Sequence, residues 1–72
     1  MRVLALPRLR EEREAKGTQS EFVDVVRLYR PTLTFQMYAK YEQGARSIDI
    51  EMAKTIAHLL NVKLEKLFKA KE

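Results

Sequence analysis

The sequence predicts an all-α fold of five short helices. Three observations carry that prediction. Punctuation is sparse, with two glycines and two prolines, whereas an all-β chain needs turn signals about every 8–12 residues. Apolar residues recur at helical spacing, and no alternating run of useful length, internal repeat or low-complexity segment competes with them. The breaks at Pro7, Gly17, Pro31, Gly44 and near Asn61 cut the chain into five pieces of helical length. At 72 residues the chain has room for one domain, residues 1–72.

Residues 1–5 precede Pro7 and are biased away from helix, so they are expected to form an N-terminal arm. Its "VLAL" is apolar enough to seek a contact. It can be a strand of a dimer, an edge for a partner, or a cap on the core, and the residues do not choose among these. The first helix, 7–16, starts at Pro7, whose missing N–H is not needed at a first helical position. It passes through Leu9, Arg13 and Ala15 and stops at Gly17, with Glu12 placed to pair with Lys16.

The second helix, 19–29, has the clearest start. "TQSE" puts Thr18 at the N-cap and Glu21 three residues on, a capping box. Phe22, Val23, Val26 and Tyr29 form its apolar stripe, and Pro31 stops it near Tyr29. The third helix, 34–43, is capped by Thr34 and ended by Gly44. Leu33, Met37, Tyr38 and Tyr41 share its inner side, which makes the tyrosines core residues and not stacking platforms. Gln36, Lys40 and Gln43 line its other side, with Phe35 at its start. The fourth helix, 50–60, begins after Asp49, carries Ile50, Ala53, Ile56, Ala57 and Leu60 inward, and ends at Asn61. The fifth, 64–69, buries Leu64, Leu67 and Phe68, and its last turn is rich in lysine, which suits the helix dipole.

The bulk chemistry narrows function. A net charge of +4 and a pI near 9.6 are compatible with nucleic acid, since basic side chains release counterions from phosphate. The charges are mixed in sign along the chain, so charge alone does not select that partner. With no cysteine there is no disulfide, thiolate metal site or cysteine nucleophile, which fits a reducing cytoplasm. No apolar run approaches the ~20 residues of a membrane span, and "MRVLALPRLR" lacks the core and cleavage site of a signal peptide. A cytoplasmic protein without membrane contact is expected.

His58 is the lone histidine and has no partners at ligand spacing. Glu11/Glu12 and Asp49/Glu51 are explained by solvation and capping, since no serine, histidine or glycine-rich loop converges with them. No catalytic residue, metal or cofactor is therefore expected, and the chain is not read as an enzyme. Gln36, Lys40 and Gln43 are a recognition face or simply the wet side of an amphipathic helix, and spacing alone favours the latter. Phe35 is a protein-contact anchor or packs back over Leu33 or Pro31.

Five strings occur in order: "LREERE" at Leu9–Glu14, "TQSEF" at Thr18–Phe22, "YEQGARS" at Tyr41–Ser47, "IAHLLNV" at Ile56–Val62 and "LEKLF" at Leu64–Phe68. Together they resemble the phage Cro/repressor-type helix-turn-helix family. The resemblance implies a compact lambda-repressor-like DNA-binding domain, here with an extended junction between the second and third helices. It implies that the second helix crosses the DNA backbone and the third enters the major groove. By resemblance, Gln19, Arg46 and Arg10 contact phosphates, and Phe35, Gln36 and Lys40 meet bases. Gln36 would suit adenine, Lys40 guanine, and Phe35 a thymine methyl.

The implied protein is a phage-type transcriptional regulator that binds a duplex DNA operator as a homodimer. Three features depart from the family pattern. The stretch from Val26 to Leu33 is longer, Ala15 stands in for a large apolar residue before "TQ", and Phe35 occupies a place where polar residues are common. They motivate an alternative: an antirepressor that uses the same scaffold to bind a phage repressor protein. Phe35 would then be the anchor, and Lys40, Arg27 and Arg30 would face an acidic rim.

Overall fold

A computed structural model describes residues 1–71. The chain runs β1 (Arg2–Ala5), α1 (Pro7–Glu14), α2 (Gln19–Arg27), α3 (Phe35–Gln43), β2 (Ile48–Asp49), α4 (Ile50–Leu60), α5 (Leu64–Leu67) and β3 (Phe68–Ala70). There are five helices, but the chain is not all-α. An antiparallel three-stranded sheet in the order β2-β1-β3 closes one side. Val3 lies opposite Ile48 and Ala70, and Ala5 lies opposite Phe68.

The physical reason is local. Backbone held extended before Pro7 cannot satisfy its own N–H and C=O groups, so it pairs with neighbours. Val3 and Ile48 then bury their side chains. Of the three readings of the arm, the structure favours the cap on the core, made as the central strand of the chain's own sheet.

Several boundaries differ from the helical reading. The first helix stops at Glu14 and not at residue 16, leaving Ala15 exposed and not in the role of a buried apolar residue. Glu12 accordingly pairs with Arg8 at 2.8 Å and not with Lys16. The second helix ends at Arg27 and not at residue 29. The amides of Leu28 and Tyr29 donate three residues back, to Val25 and Val26, which tightens and closes the last turn before Pro31. Tyr29 therefore leaves the apolar stripe and is 59% exposed. The fifth helix ends at Leu67 and not at residue 69, because Phe68 turns extended and joins β1.

The caps give the helices their limits. Thr18 accepts from the Glu21 amide at 3.2 Å while the Glu21 carboxylate accepts from the Thr18 amide at 2.9 Å. Thr34 Oγ1 accepts from the Met37 amide and Asp49 Oδ2 from the Glu51 amide. Gly44 and Asn61 end α3 and α4 in the left-handed conformation, at φ 73° and 57°. Inside, Leu9, Phe22, Val26, Leu33, Tyr38, Ile56, Leu60 and Leu67 are buried. The Tyr38 ring meets Phe22 and Tyr41, with centroids 5.5 and 6.4 Å away. Among the described residues no helix is long and apolar enough to cross a membrane.

Candidate nucleic-acid interface

The inner side of α3 is committed to the core. Leu33, Tyr38 and Tyr41 are buried and Met37 is half-buried. Since side chains advance about 100° per residue around a helix, Gln36, Lys40 and Gln43 must point the other way, and all three are exposed. Phe35, in the first turn, is 47% exposed.

What fixes the pose of α3 is a charged cluster that the sequence reading missed. Arg13 of α1 donates from Nε and Nη2 to the two carboxylate oxygens of Glu42, at 2.8 and 3.0 Å. Its Nη1 donates to the Gly17 carbonyl at 2.9 Å. Gln19, the first residue of α2, donates its side-chain amide to the same carboxylate at 2.9 Å. The Arg13 and Glu42 side chains are only 7% and 2% exposed. One carboxylate thus joins α1, α2 and α3.

Burial alone would raise the Glu42 carboxyl. Hydrogen bonds from Arg13 and Gln19, with the positive charge of Arg13, outweigh it and hold the carboxyl below its ordinary value. The hydrogen bond to Glu42 raises the Arg13 guanidinium in turn. The Tyr38 phenol beside the pair is pushed well up, first by burial and then by Glu42, so it stays neutral. Its hydroxyl is buried without a hydrogen bond of standard geometry. A sequence signal for the cluster existed. Arg13 follows Leu9 by four residues and Glu42 follows Tyr38 by four, which places each charge on an apolar stripe.

With α3 pinned across α2 and its polar side outward, comparison with known families decides the class. The profile described as "Helix-turn-helix" matches residues 9–67. The chain belongs to the helix-turn-helix family. That family consists of DNA-binding transcription regulators and is generally non-enzymatic. Neither a curated protein nor a solved structure matches the chain.

Around the helix-turn-helix, the other expected contact residues are distributed unevenly. Gln19 sits where α2 begins, but its side-chain amide is held by Glu42. Arg10 is exposed on α1 beside Glu14, at 3.5 Å. Arg46 is exposed in the turn after α3. Arg27 is exposed at the end of α2, whereas Arg30 is half-buried. The Arg30 guanidinium donates to Thr55 Oγ1 at 3.1 Å and to the Glu51 carbonyl at 3.4 Å, which ties the α2–α3 junction to α4. Gln36, Lys40 and Phe35 are together on α3, and Gln19 lies along its Glu42 flank.

Proposed function

We propose that this protein is a phage-type transcriptional regulator that binds a duplex DNA operator through α3 in the lambda-repressor-like manner. The observation that carries the reading is the exposed row Gln36, Lys40 and Gln43 on a helix whose opposite side is buried and pinned by Glu42. Gln36 and Lys40 read base edges, and Phe35 lies against a thymine methyl. Arg46 and Arg10 take phosphates by their side chains. Gln19 does so through the free backbone N–H at the start of α2, since its side chain serves Glu42. A homodimer would place two copies of α3 in successive major grooves of paired half-sites.

The test is binding to a duplex selected from a random pool. Lys40→Ala and Gln36→Ala should each weaken the selected site by ~1–3 kcal/mol and relax preference at one position. Parent and variants binding that site equally would overturn the reading.

A second reading, an antirepressor that grips a phage repressor protein, draws on a specific observation. Leu28 is 79% exposed and Val25, Tyr29 and Phe35 are also exposed, all at the end of α2 and the start of α3. Phe35, Lys40 and Arg27 are available to such a partner, and Arg30, tied to α4 by two hydrogen bonds, keeps its remaining donors for it. An antirepressor would show no steep salt dependence with DNA and would lose its complex on Phe35→Ala.

A further inference from the structure

The flank of α3 opposite Gln19 carries a feature that the contact residues above do not explain. Arg2, Arg30 and Arg46 line one open groove of about 310 Å³, together with Met37 and Tyr41 of α3 and Asp49. The three arginines come from three separate parts of the chain: β1, the α2–α3 junction and the turn after α3.

None of the three is ion-paired among the described residues, whereas Arg8, Arg10 and Arg13 each hold a glutamate. Asp49, the one carboxylate in the groove, accepts from the Glu51 amide at 3.0 Å as a helix cap. Two of the guanidiniums are nonetheless fixed in place by neutral groups. Arg2 donates to Ser47 Oγ at 2.7 Å and to the Ser47 carbonyl at 2.8 Å. Arg30 donates to the Thr55 hydroxyl and the Glu51 carbonyl. Neutral acceptors orient a guanidinium without cancelling its charge. Each guanidinium has five N–H donors, so about three remain on each for an anion.

Position makes the anion a DNA phosphate. Met37 and Tyr41 lie one helical step to one side of the Gln36–Lys40 row. Glu42, with Gln19 on it, lies to the other. A helix in a major groove about 12 Å wide has a phosphate chain on either side. The α2 start faces one chain, and the three arginines face the other.

The geometry points to a phosphodiester cradle made by Arg2, Arg30 and Arg46, in which β1 and the lengthened junction join the DNA interface. This rests on the DNA-binding reading and extends it to two residues, Arg2 and Arg30, that hold the second strand's backbone.

The experiment has two parts. First, anisotropy titrations with the selected duplex and with mixed-sequence duplex are run across a salt series for the parent, Arg2→Gln, Arg30→Gln and the double variant. Each single change should weaken both duplexes by the same factor and lower the slope of log affinity against log salt by about one, and the double variant by about two. Second, because Arg30→Gln also removes a junction tie, the parent is followed by NMR at the Arg2 and Arg30 Nε–H signals. Both should shift saturably with duplex and recover when salt displaces it. A parent that binds steeply with salt, variants that keep its slope and arginine signals that do not move would overturn the cradle and leave the DNA reading standing. Signals that respond to inorganic phosphate but not to duplex would also overturn it, as a free-anion site. A parent with no salt-dependent binding would sink both.

Discussion

Replacing Glu42 with alanine tests whether the charged cluster holds the helix-turn-helix together. The change removes an acceptor of three short hydrogen bonds, two from Arg13 and one from Gln19. It leaves a guanidinium that is 7% exposed with only the Gly17 carbonyl for company. Breaking a buried pair from one side costs about 3–5 kcal/mol, because the surviving charge is desolvated and unmatched. At ~0.05–0.15 kcal/mol per residue, a chain of this length has a total stability of roughly 4–11 kcal/mol. Glu42→Ala should therefore bring the domain near its unfolding threshold, with Tm lower by about 12–40 °C at ~4–8 °C per kcal/mol.

Urea unfolding followed by far-UV circular dichroism measures the loss. The double change Arg13→Met with Glu42→Leu should recover most of it, since it leaves no charge stranded. The sign with pH follows from the depressed carboxyl. The cluster's contribution is complete above the ordinary carboxyl value near 4.5 and is lost as pH falls through the lower value in the folded protein. The parent should thus lose stability in acid more steeply than Glu42→Ala. A cost under about 1 kcal/mol for Glu42→Ala, at a pH where the parent carboxyl is ionised, would refute the reasoning.

Gly44→Ala isolates backbone strain, because nothing lies within 4 Å of the added Cβ and φ is +73°. It should cost about 1–2 kcal/mol in urea unfolding, and a neutral result would contradict the left-handed cap. Tyr38→Phe deletes a buried hydroxyl that has no standard hydrogen bond. It should be neutral or stabilising within about 1 kcal/mol, and a larger loss in thermal unfolding would show that the hydroxyl bonds Glu42 after all. Val3→Asp puts a carboxylate at a position 3% exposed between both neighbouring strands. It should abolish the dispersed amide NMR spectrum, whereas Met1→Asp, at an exposed residue, should not.

The helices were legible because their limits are written locally. Thr18 with Glu21, Thr34, Gly44, Asp49 and Asn61 each act on backbone within one turn. The polar side of α3 was legible for the same reason, as a period of 3.6. The sheet was not, because its pairings are non-local and its strands too short to alternate: β2 has two residues, and Phe68 reads as the continuation of a helix. Tyr29 was misplaced because spacing reports the direction of a side chain only while the helix lasts. Arg13 and Glu42 were overlooked because charge suggests solvent, and only their mutual contact makes burial tolerable. The groove of Arg2, Arg30 and Arg46 was equally out of reach, since no spacing rule relates an N-terminal strand to a junction and a turn.

The placement of β1 between β2 and β3 sets the order of events during synthesis. β1 leaves the ribosome well before β3, with which it pairs, and the Lys71 amide donates to the Arg2 carbonyl at 3.1 Å. Helices can coil as they emerge, but Val3 has its full set of neighbours only once Phe68–Ala70 is outside the exit tunnel. Until then the nascent chain carries an unsatisfied apolar strand, and closure of the sheet follows formation of the helices.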